Sequence, residues 1–261
     1  MKLLDIARSH PGQLLFIAVS LLLWSIANYG TMTDLLPGDS PRSRGHALHW
    51  RANVLIRALV AGIAVLFVAG CRAAWPTALI IAGSSITLPV LRRSLSLART
   101  AEIETISVLL TWSAIVAVSI HRGVSVKWSL ARLPFPENDV ASVCLVTAVV
   151  LFSFRGGTHI VRGLLEKCGS VITAVGATSQ ATEIQRGRWI GNLERALLLA
   201  IIAEGSYPAI AFLIAAKGLI RSKELENRDF AEYFLVGTFA SIAVALASGI
   251  LIRVIIASLW T

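Results

Sequence analysis

In the stretch LLLAIIAEGSYPAIAFLIAAKG, residues 197–218, one carboxylate, Glu204, stands in an apolar run long enough to reach deep into a bilayer. A charge at the middle of a membrane helix costs roughly 3 kcal/mol or more unless it is paired or wetted, so an intramembrane acid marks a functional site by default. The chemistry open to it is ion binding, proton exchange or gating. The plainer reading is a buried structural pair with Arg195 or Lys217. Glu194, Arg195, Glu204, Tyr207 and Lys217 together form the candidate membrane-depth polar cluster. No catalytic residue is assigned.

Two other patterns carry interactions rather than reactions. In IVRGLLEKCGSVITAVG, Val161, Leu164, Leu165, Cys168, Val171, Ile172 and Val175 recur at helical spacing, with Arg162, Glu166, Lys167, Ser170 and Thr173 off the stripe. Such a helix lies on a membrane surface or against a partner, and Val161, Leu164, Leu165, Val171 and Ile172 are its candidate partner-binding residues. Packing against this protein's own face is the equal alternative. In the last apolar block Gly237, Ser241, Ala245 and Gly249 fall four apart, a smooth ridge that lets another helix approach closely, within the chain or in a second copy.

The elements that must position these residues follow from composition. The 261 residues are 56% hydrophobic and 15% charged, with mean hydropathy +0.73, against about 45–50% and about 25% in soluble domains. The apolar residues come in blocks of membrane-spanning length. The fold class is therefore all-α: a multi-pass helical membrane protein with spans near 14–29, 54–71, 75–91, 105–120, 140–154 and 231–260. The first block also resembles a signal peptide in length, but the later spans favour an uncleaved helix. Residues 72–74 are the only break between the second and third blocks, which predicts a tight antiparallel hairpin.

Whether 195–216 spans or turns back decides the topology. With a full span, and with Arg57 inside a helix left out, Lys and Arg divide thirteen against ten between the two faces. With a turn at Gly205-Ser206-Tyr207-Pro208 they divide sixteen against seven. The positive-inside rule prefers the turn, as does the helix-breaking chemistry of glycine and proline. The expectation is six full spans plus a re-entrant helical hairpin, with seven spans as the alternative. By organisation, 1–155 form a membrane domain, 156–194 a cytoplasmic amphipathic helix and linker, and 195–261 the hairpin, a charged loop and the final span.

The net charge of +9 sits in loops between apolar blocks, as anionic lipid headgroups favour, and no nucleic-acid fold signature accompanies it. Cys71, Cys144 and Cys168 are scattered and form no CxxC. His46 and His49 in HALH lack a third metal ligand and read as surface residues. Arg57 and Arg253 near span ends snorkel. Gly187 and Gly191 form a GxxxG outside an apolar segment, a weak packing signal. No HExxH, GxSxG, phosphate-binding or dinucleotide pattern occurs, so no metal or cofactor is expected, and a lipid-modifying membrane enzyme stays open as the lesser alternative.

From GRWIGNLERALLLAIIAEGSYPAIAFLIAAKGLIR to AEYFLVGT, the residues Gly187, Arg188, Gly191, Leu193, Glu194, Arg195, Gly205 and Tyr207, then 212–217, 231–233, Gly237 and Thr238, make up a pattern. Over about a quarter of the chain it resembles the C-terminal part of a family of uncharacterised bacterial integral-membrane proteins. Pro208 departs from the pattern, where an acid is expected, and the polar first helix usual in the family has no counterpart. The resemblance implies the bacterial inner membrane and groups Glu194, Arg195, the neighbourhood of Glu204, and Lys217 in one motif block. It implies no defined activity.

Two functions fit these features. One is a small transporter, channel or pore-forming component, built on a broken helix with a membrane-depth carboxylate. The other is a membrane-embedded scaffold or regulatory partner of a cytoplasmic protein, recruiting it through the stripe at 159–176 and the charged loop at 217–232. The expected partners are the lipid bilayer, then a second copy of the chain or a cytoplasmic protein, and not nucleic acid.

Overall fold

A computed structural model describes residues 10–30, 44–126, 135–168 and 179–259. They are helical, with no strand among them. Six helices are long and apolar enough to cross a membrane, at Pro11–Tyr29, Trp50–Ala69, Ala73–Ser94, Ala98–Arg122, Glu137–Lys167 and Phe230–Leu259. These are the six expected spans, and the protein is a multi-pass helical membrane protein.

By packing, the chain divides into two units. The first comprises residues 1–96, 103–151 and 254–261. Its helices are α1 (Pro11–Tyr29), α2 (Arg44–Ala69), α3 (Cys71–Ser94), most of α4 (Leu97–Arg122) and α5 (Glu137–Leu151). α1 is the axis of this unit: it packs on α2, α3 and α5, and Leu14, Leu15, Phe16, Ala18, Leu21, Trp24 and Tyr29 are buried. The α2–α3 hairpin turns on one residue, Gly70 at φ 86°. The break thus falls two residues ahead of the expected 72–74, because a left-handed backbone is cheap only at glycine.

The second unit comprises residues 97–102 and 152–253. α5 does not end as a short span. It runs through one π-helical turn, Phe152–Gly156, into α6 (Gly157–Lys167), which gives one apolar helix over Glu137–Lys167. The segment carrying Val161, Leu164 and Leu165 is therefore the end of this helix rather than the start of a separate one. Val171 and Ile172 lie outside the described residues. α6 rests on the first turns of α4: Gly163 lies against Ala101 and Thr100, and Lys167 pairs with Glu102.

α7 (Ser179–Glu204), α8 (Tyr207–Ile220) and α9 (Arg228–Leu259) as far as Arg253 complete the second unit. Pairings fix their directions. Glu194 meets Lys217, and Tyr207 meets Arg253, so α8 runs antiparallel to both neighbours. Arg195 meets Ser241, and Ile202 meets Gly249, so α7 and α9 are parallel. Leu198, Ile202 and Ala245 form the core between them, with Ile210 and Leu213 of α8 packed on it. Packing thus groups 156–194 with the hairpin and α9.

Candidate functional site

The hairpin that carries the expected polar cluster is made by its sequence. α7 stops at Glu204, Gly205 takes φ 77°, and Pro208 occupies the first turn of α8, where its missing N–H leaves no bond unmade. α8 then returns alongside α7. Glu194 and Lys217 meet side by side at 2.7 Å.

The five cluster residues occupy three places. At the open end of the hairpin, Lys217 Nζ donates to Glu194 Oε2, with both side chains about a quarter exposed, and lies over the Phe234 ring. At the tip, Arg253 of α9 donates to Tyr207 Oη at 3.1 Å, and its guanidinium lies so close to Gly205 that an added Cβ would sit 3.0 Å from Nη1. Glu204 is exposed at the tip and forms no ion pair among the described residues. It does not meet Arg195 or Lys217, the two partners expected for it.

Arg195 lies between these ends and is 3% exposed. Its Nη2 donates to Thr158 Oγ1 at 2.6 Å, Asn192 Oδ1 at 2.7 Å and the Phe154 carbonyl at 3.2 Å. Its Nη1 donates to Ser241 Oγ at 3.5 Å. The Phe154 carbonyl belongs to the π turn, a feature found preferentially at functional positions. Every acceptor is neutral, and Nε has none. Glu194, the adjacent acid, is bound to Lys217. The adjacent carboxylate is thus taken by Lys217, and Arg195 joins the π turn, α7 and α9 through neutral acceptors.

The small-residue ridge faces inward. Gly237 lies near Leu165, Ser241 receives Arg195, Ala245 is in the core, and Gly249 is packed hard on Ile202. Leu165 of the apolar stripe is thereby spent inside the second unit.

The first unit holds a cluster that sequence reasoning missed. Arg92 of α3 donates from Nε to Glu104 Oε2 at 2.9 Å and from Nη2 to Oε1 at 2.7 Å. Tyr29 of α1 donates to the same Oε1 at 2.5 Å, and Arg92 lies 5.4 Å from the centre of the Tyr29 ring. Below them Trp24 bonds Ser84 and Asn28 bonds Ser85. Gln13, one helix length away, donates to the Ser119 carbonyl. Arg92 reads in the sequence as part of a charged loop. α3 instead runs on to Ser94 and buries it. The available signal is a pair of opposite charges flanking the short break between two apolar blocks.

Fold and clusters together define the class: a multi-pass helical membrane protein with ionisable side chains inside its helix packing. No protein-family model, no curated protein and no solved structure matches the chain.

Proposed function

We propose that the protein is a small transporter, channel or pore-forming component of the bacterial inner membrane, in which α7 and α8 enter the bilayer and turn back. The observation that carries this reading is Arg195, a buried cation held only by neutral acceptors at the base of a broken helical hairpin. Ionised groups inside membrane helices, and helices interrupted at membrane depth, mark solute and ion pathways. The length of α8 supports the re-entry: its 14 residues rise about 21 Å, short of the ~30 Å hydrocarbon core. The positive-inside distribution and the resemblance at 187–238 favour the same membrane and topology.

A scaffold role draws less support, because a docking stripe needs an open face and Leu165 is spent on Gly237. The test is flux through vesicles of bacterial polar lipid containing the purified chain. Wild type is expected to dissipate an imposed ion gradient, and Glu204→Gln, at the exposed tip, to change the rate several-fold while the melting temperature holds. Flux no greater than through empty vesicles overturns the reading.

A further inference from the structure

α3 begins and α4 ends at the same level of the first unit, where Arg122 lies 5.6 Å over the Trp75 ring. Between them is a groove of about 360 Å³, lined by Pro76, Ala117, Val118, His121 and Arg122. Its chemistry is graded along the helices. His121 and Arg122 are in the last turn of α4, at the end of its span, and Ala117 and Val118 are one turn deeper. Both basic residues are exposed, and neither forms a hydrogen bond or ion pair among the described residues. α3 starts at Gly70 without a side-chain cap, so its first amides add positive potential at the same rim.

We propose that this groove binds an anionic phospholipid, with the phosphate on Arg122 and His121 and an acyl chain along Pro76, Ala117 and Val118. A tryptophan and an arginine at the interface, above an apolar slot, match the order of headgroup and tail. The charge complementarity selects an acidic headgroup over a zwitterionic one. The site belongs to the first unit alone and is independent of what the protein transports.

The experiment places the full chain in phosphatidylcholine vesicles with a tracer of photoreactive phosphatidylglycerol or photoreactive phosphatidylcholine, and maps crosslinks by peptide. Labelling at residues 76, 117 and 118 is expected to favour phosphatidylglycerol by about fivefold, the factor that one basic side chain near an acidic headgroup is worth. The double variant His121→Gln/Arg122→Gln should lose that preference, and Arg122→Lys should keep it. Ala117→Trp fills the slot and leaves His121 and Arg122 unchanged, so it should lower labelling at 76 and 118 with either lipid. Equal labelling by the two lipids in wild type, or a preference that survives the double variant, overturns the proposal.

Discussion

Arg92 and Glu104 share two hydrogen bonds across the α3–α4 hairpin, and the carboxylate has no exposed surface. Tyr29 adds a third bond to it from α1. Three helices thereby meet at one acid, and its removal strands a buried guanidinium. Breaking one side of such a pair costs about 3–5 kcal/mol, whereas replacing both partners by apolar groups is often neutral. Glu104→Gln should lower the melting temperature in detergent sharply, and Arg92→Met/Glu104→Leu should recover most of it. A single variant as stable as wild type would show that the pair does not hold the helices together.

Gly249 on α9 sits where a Cβ would lie 2.7 Å from Ile202 Cγ2 of α7. Gly249→Ala should destabilise by about 1–3 kcal/mol through overpacking, and Ile202→Ala should relieve it in the double variant. Gly83, with open space where its Cβ would be, supplies the control: Gly83→Ala should be neutral or slightly stabilising. Mixed-micelle unfolding reads all four proteins.

Gly205 turns the α7–α8 hairpin in a left-handed backbone conformation, which costs other residues roughly 1–2 kcal/mol. Gly205→Ala should lose about that much and also press on Arg253. Gly205→Asn should lose less, since asparagine tolerates this conformation. Equal losses in the two variants would remove backbone strain as the cause.

Glu194 and Lys217 bind the two hairpin legs at 2.7 Å. Charge reversal at either residue alone should destabilise, and Glu194→Lys/Lys217→Glu should recover about 1 kcal/mol of coupling. An additive double variant would mean that the legs do not depend on this contact.

The proposed re-entry also assigns sides. In a chain freed of its native cysteines, Ser94→Cys and Ser222→Cys should react with an impermeant thiol reagent from one face of the membrane, and Ser125→Cys from the other. A single span over 195–216 would move Ser222 to the Ser125 face.

Much of this architecture is legible in the residue pattern. Bilayer length is so strict a requirement that six apolar blocks translate into six helices, and the glycine and proline after Glu204 announce the turn. What local pattern does not carry is where long polar side chains find partners. Arg92 looks solvated because it adjoins Arg93 and precedes a break, yet two more residues of helix draw it inside. Glu204 looks buried because its neighbours are apolar, yet the turn puts it at an exposed tip while Arg195 takes the interior. The stripe from Val161 onward has the period of an independent amphipathic helix. The π turn before it lets the preceding span continue instead.

The Arg92–Glu104 pair also has a bearing on biogenesis. The two residues are twelve positions apart and leave the ribosome almost together, on either side of the tight connection at Leu95–Ser96. An insertase that accepts α3 and α4 as one loop meets Arg92 together with the carboxylate that pairs it, whereas α3 alone would present that guanidinium unpaired. α1 has by then already been made, with Tyr29 ready to receive the pair. Order of synthesis thus allows both charges to find their partners as soon as α4 is made, without a stage in which either must be buried alone.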